Sequence, residues 1–84
     1  MKNKKNLIKQ IIYRSSHRGS KEMDLLLGNF VKKYINVFDD KDLSDLYELL
    51  SIEDEIIYEW YFKKKNNLII TNNKVTKMLK EYKF

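Results

Sequence analysis

"YRSSHRGSKEMDLLLGNF", residues 13–30, decides the fold. Upstream of it, Leu7, Ile8, Ile11 and Ile12 recur on one face of a helix. Downstream, Met23, Leu26, Leu27, Phe30, Val31 and Tyr34 form a second helical stripe. Between the two lies a break. Gly19 stands where a helix C-terminus favours glycine, and Ser20 is a preferred N-cap. Glu22 falls in the next first turn, where a negative charge suits the helix dipole. The stretch therefore predicts two helices meeting at a tight corner. Gly28, inside the second stripe, costs about 1 kcal/mol against alanine. It points to a close helix approach or a bend.

The same periodicity continues outward. Asp39 or Asp40 is placed to cap a third helix carrying Leu43, Leu46, Tyr47 and Leu50. Ser51 and Asp54 resemble a capping box for a fourth, with Ile56, Ile57, Trp60 and Tyr61 on its apolar face. The tract "KKKNNLIITNN" reads as loop, with Leu68, Ile69 and Ile70 as a core anchor or a short strand. Val75, Met78, Leu79 and Tyr82 mark a last helix. Proline is absent, and no internal repeat or flexible linker divides the chain. The expectation is an all-α fold: a compact bundle of about five short helices in a single domain spanning residues 1–84.

Composition excludes several functions. At 84 residues the chain has a limited core. A domain of this size buries roughly 60–65% of its unfolded surface, which leaves little room for an internal substrate pocket. Without cysteine and with a single histidine, His17, there is no zinc ligand set and no nucleophilic triad. Two glycines make no phosphate-cradling loop or dinucleotide fingerprint. The chain is read as non-enzymatic, with no catalytic residues, no metal and no stably bound cofactor. No apolar run reaches the ~20 residues of a membrane span. "MKNKKNLIKQIIY" lacks the features of a secretory signal. The expected setting is the cytoplasm, or the mitochondrial matrix for a processed chain, and nothing demands more than a monomer.

The net charge is +5 and unevenly placed. Both ends are basic, and most carboxylates lie between Asp39 and Glu59. In this lysine-rich chain the only two arginines are Arg14 and Arg18. If the first helix runs on to Arg18, they are i, i+4 neighbours. Arginine offers a planar fork that lysine lacks. Two readings of the corner fit these residues. Arg18 and Glu22 pair across it and Gly19 only ends a helix, or Gly19 bares the corner for a partner's backbone.

At these residues the chain also resembles a family. "HRGSKEMDLLLGNF" is similar to the signature of the SdhE family, the succinate dehydrogenase flavinylation (assembly) factors. The Arg-Gly-x-x-Glu hallmark is matched by Arg18, Gly19 and Glu22. The match extends to the preceding "YRS", His17, Asp24, the "LLLG" run and Phe30. An acidic stretch, then Glu53 and Asp54 ahead of Trp60, then an amphipathic helix, repeat the layout. Two departures stand out. Many members carry proline in the acidic segment, and many have arginine where this chain has His17.

The resemblance implies a small helical bundle that binds the flavoprotein subunit of succinate dehydrogenase, and in some bacteria fumarate reductase. It promotes covalent attachment of FAD to a histidine of that subunit, and the FAD belongs to the partner. Carried over by position, the partner-binding residues are Arg18, Gly19 and Glu22, with Arg14, His17, Asp24, Glu53 and Asp54 as further candidates. On this view Arg18 pairs with a partner carboxylate or carbonyl, Glu22 accepts hydrogen bonds, and Gly19 permits close approach. A bulky residue at Gly19 is then expected to block docking without unfolding the bundle.

Three rivals come from other classes. The positive charge fits a helical nucleic-acid-binding module, although the acidic centre would repel phosphate. Residues 2–12 fit a short membrane-surface anchor. A structural adaptor without a flavinylation role fits as well.

Overall fold

A computed structural model describes residues 4–83. Within them the chain forms α1 (Lys4–Ser16), α2 (Lys21–Tyr34), α3 (Asp40–Leu50), α4 (Asp54–Phe62) and α5 (Lys74–Glu81). No strand occurs among the described residues, so the all-α expectation of five short helices holds. Residues 2 and 3 of the candidate anchor lie outside the described residues.

The stripes read from the sequence converge on one core. Ile11, Met23, Leu26, Leu27, Phe30, Leu43, Leu46, Ile57, Val75 and Leu79 are completely or almost completely buried. Each such aliphatic or aromatic side chain contributes about 1.5–3 kcal/mol on burial. Leu7 and Ile8 pack against the core, whereas Ile12 is exposed. The apolar face of α1 is thus largely occupied by the bundle itself. No described helix is long and apolar enough to cross a membrane.

The caps fix where the helices start. The Ser20 hydroxyl accepts from the Met23 N–H at 3.3 Å. Asp39 caps α3 in a reciprocal box with Asp42, whose N–H donates to Asp39 Oδ1 at 2.8 Å. That bond is the largest cause holding the Asp39 carboxyl below its ordinary pKa. Asp42 also accepts from Lys74 Nζ at 3.2 Å, tying α3 to the start of α5. A similar box of Asn73 and Thr76 opens α5. The box expected from Ser51 and Asp54 does not form. Glu53, not Ser51, is the N-cap of α4 and makes no side-chain cap bond; the Ser51 hydroxyl donates to the Tyr47 carbonyl and the Asp54 carboxylate accepts from Arg18.

The α4–α5 connection forms no strand, and of its three apolar residues only Ile70 is buried. An aromatic cluster gathers around Phe30. Phe30 meets Tyr34, Phe38 and Tyr82 with ring centroids 5.1, 6.2 and 5.5 Å apart. The Tyr61 hydroxyl donates to the Tyr82 carbonyl and pins the chain after α5.

Gly28 sits where α2 crosses α1. A Cβ built there would meet the Ser15 carbonyl at 3.7 Å, an ordinary van der Waals distance. Space therefore does not require glycine, and its helix-propensity deficit remains uncompensated. Gly28→Ala should stabilise the fold by about 0.5–1 kcal/mol in urea unfolding followed by far-UV circular dichroism. A destabilised variant would show that the helices approach more closely than this.

Candidate functional site: the α1–α2 corner

The first helix ends at Ser16, two residues before the point that would make Arg14 and Arg18 helical i, i+4 neighbours. Side chains end it. Ser15 and Ser16 hydroxyls both donate to the Ile12 carbonyl at 2.9 Å. His17 Nδ1 lies 2.8 Å from the Tyr13 carbonyl, a geometry that places the proton on Nδ1. The His17 ring stacks on Tyr13 with centroids 3.9 Å apart. His17 and Arg18 thus reach the Tyr13 and Arg14 carbonyls, which a helix C-terminus leaves without partners, and the serine hydroxyls bond back onto the preceding turn.

Arg18 then turns inward. Its Nε donates to Asp54 Oδ1 at 2.6 Å, and its Nη2 lies 2.6 Å from the same oxygen. Nη1 donates to the Arg14 carbonyl at 3.1 Å and to the Leu50 carbonyl at 2.7 Å. Nη2 reaches the Ile52 carbonyl at 3.1 Å. One guanidinium thus serves the ends of α1 and α3 and the start of α4. Its charge sits where the first two helix dipoles are negative, and Asp54 sits where the third is positive. A lysine ammonium has three donors and no planar fork, so it cannot serve this many partners at once. The side chain of Arg18 is 8% exposed and that of Asp54 25%.

The backbone of the corner is held by the same logic. The Arg18 N–H donates to Asp24 Oδ1 at 2.6 Å. The Gly19 N–H donates to Asp54 Oδ2 at 2.5 Å. Gly19 does not adopt a left-handed φ, so it is not the glycine cap expected from its position. The reason for glycine is proximity: a Cβ would lie 3.0 Å from Asp54 Oδ2. A bulky residue there displaces the carboxylate that holds the corner, so it disturbs the fold as well as any partner.

The candidate residues thus divide. Arg18 builds the corner, bonding Asp24 through its backbone N–H and Asp54 through its guanidinium. His17, Gly19, Glu22 and Glu53 are exposed, as is Arg14. Arg14 lies over the Tyr47 ring at 4.9 Å. Glu22 does not pair with Arg18, and among the described residues its carboxylate has no hydrogen-bond or ion-pair partner. Beside the corner, Lys9, Tyr13, Arg14, His17 and Tyr47 line a shallow groove between α1 and α3. Among the described residues no group of histidines and carboxylates could hold a metal ion. The sequence reading missed the pairing of Arg18 with Asp54 and the role of Tyr47. The first spans 36 residues, and no local spacing signals it.

Known proteins resemble this chain over most of its length. Residues 9–83 match a family model described as "Flavinator of succinate dehydrogenase". A mitochondrial succinate dehydrogenase assembly factor 2 from Scheffersomyces stipitis is 38% identical over 86% of this chain and 51% of its own length. One of the same name from Arabidopsis thaliana is 36% identical over 69% of this chain and 31% of its own. An FAD assembly factor SdhE from Acetobacter pasteurianus is 29% identical over 86% of this chain and 63% of its own. The chain thus spans from about a third to just under two thirds of the length of these relatives. No solved structure is significantly similar to it.

Asp54→Ala leaves the Arg18 guanidinium buried with no counter-charge. It should cost about 3 kcal/mol in chemical unfolding, the low end for a buried pair because Asp54 keeps some contact with water. Arg18→Lys should destabilise by a similar amount. Losses under about 1 kcal/mol would mark the pair as an ordinary surface ion pair.

Proposed function

The chain belongs to the family of succinate dehydrogenase flavinators, and from that premise we propose that it is an assembly factor for the covalent flavinylation of a flavoprotein subunit. The client is the flavoprotein subunit of succinate dehydrogenase, with a fumarate reductase subunit as a second possible client of the same chemistry. The observation that carries this reading is the exposed, unpaired Glu22 carboxylate one turn from Gly19, on a corner locked from beneath by Arg18 and Asp54.

The division of the corner suggests how it acts. Glu22 accepts hydrogen bonds from donors of the client, and Gly19 lets the client's backbone approach. Such charge-assisted bonds contribute about 1.5–3 kcal/mol each. His17, Tyr13 and Arg14 flank this contact, and Glu53 borders it next to Asp54. Arg18 and Asp24 position the surface rather than touch the client. A corner already ordered before docking loses little conformational entropy on binding, so more of the contact energy remains to restrain the client. Restraint is what covalent flavinylation needs, since FAD and the acceptor histidine must be held in reactive geometry.

The flavin supplies the chemistry when it is bound to the client.

The test is covalent FAD on the purified client subunit, read by in-gel fluorescence with and without this protein. Wild type should raise the signal. Glu22→Ala should lower stability by no more than about 1 kcal/mol, the contribution of an exposed first-turn charge, and should weaken client binding about tenfold or more. A wild-type protein that neither binds nor promotes flavinylation would refute the reading. Full activity of Glu22→Ala would remove Glu22 from the contact surface.

A further inference from the structure

The segment between α4 and α5 shares no residue with the corner, and it is built rather than slack. The Ile70 N–H donates to the Asn67 carbonyl at 3.1 Å, and the Ile69 N–H donates to Asn67 Oδ1 at 2.9 Å. This hydrogen-bonded turn sends Ile70 into the core and lifts the two residues before it away from the protein. Leu68 is fully exposed and Ile69 is 60% exposed. Leu68 and Ile69 together give this ordered turn an apolar tip, and the residues around it show what it can meet.

Lys63, Lys64 and Lys65 precede the tip and are all exposed. Lys80 of α5 borders the same shallow depression as Asn66, Asn67, Leu68 and Trp60. Glu59 engages Lys65 at 3.8 Å. Among the described residues Lys63, Lys64 and Lys80 have no carboxylate partner. Lys64 and Lys80 instead lie over the rings of Tyr61 and Trp60, at 5.4 and 5.9 Å. On the other side of the tip, Ile69 borders a recess containing Asp45 and Glu48, and Asp45 is paired with Lys41. The depression beside Leu68 thus holds Lys80 and no carboxylate, and Lys63 and Lys64 lie in the exposed segment that leads to the tip.

We propose that the α4–α5 loop contacts an anionic lipid surface, with Leu68 entering the headgroup boundary and Lys63, Lys64 and Lys80 meeting lipid phosphates. A single protruding leucine gives a folded protein partner little complementary area, but a bilayer accepts it in any orientation. Lysines act as point charges, suited to a diffuse negative surface rather than to one fork-shaped acceptor. The contact is peripheral and weak: one or two aliphatic side chains and a few lysines give reversible attachment.

The experiment is co-sedimentation of the full chain with vesicles of equal phosphatidylglycerol and phosphatidylcholine, and with phosphatidylcholine alone. Wild type should pellet with the anionic vesicles only, and less as salt rises. Leu68→Asp and the pair Lys63→Glu, Lys64→Glu should each reduce the partition about tenfold while keeping wild-type circular dichroism. No pelleting, or equal pelleting with both vesicle types, overturns the proposal. Unchanged pelleting of Leu68→Asp places the contact elsewhere and also overturns it. Self-association that Leu68→Asp abolishes, without vesicle binding, assigns the tip to a second copy of the chain and has the same consequence.

Discussion

The fold turns on a buried ion pair between Arg18 and Asp54. Three helices end or begin beside it, and each leaves backbone groups that must find partners away from water. The guanidinium gathers the carbonyls of Arg14, Leu50 and Ile52, and the carboxylate takes the Gly19 N–H. Burying this pair would be unfavourable if its hydrogen bonds were not all used. Here they are used, and no buried side-chain nitrogen or oxygen among the described residues lacks a partner. The short chain thus obtains a rigid joint where its limited apolar core does not reach.

That joint explains the residue types at the corner. Arginine is needed for several directed bonds from one group, and glycine is needed because the Asp54 carboxylate lies where its Cβ would crowd it. What remains on the outside is Glu22, without a partner among the described residues and carried on the first turn of α2. An exposed carboxylate on a preorganised edge is a good acceptor for a partner's donors. Its position is fixed before the partner arrives, so ordering it costs little at the moment of binding. Arg18 and Gly19 build the joint, and in the proposed function Glu22 presents the charge to the client.

Much of this was legible in the chain. The stripes at Met23, Leu26, Leu27, Phe30 and Val31, and at Leu43, Leu46 and Leu50, fix helix faces by local periodicity, which requires no knowledge of the tertiary structure. The caps at Ser20 and Asp39 are equally local. The corner drew notice because arginine is rare in this composition. Its internal wiring was not legible. Sequence spacing offered Glu22 as a partner for Arg18 four residues away, whereas Asp54 is reached only after α2 and α3 have folded the chain back. The end of α1 was misplaced for a related reason: Ser15, Ser16 and His17 compete for its last carbonyls, and side-chain competition is not visible in a hydrophobic stripe. Leu68 and Ile69 had the composition of an anchor. The turn made by Asn67 directs only Ile70 inward.

Amide hydrogen exchange on the labelled chain, alone and with the flavoprotein subunit, tests the central claim most directly. Alone, the Gly19 amide should be protected well beyond an exposed corner residue, because it is bonded to Asp54. With the subunit, further protection should fall on residues 13–25 and spare α5. A Gly19 amide that exchanges at the rate of an unstructured chain would contradict the account of the joint. Protection confined to α4 and α5 would contradict the account of the docking surface.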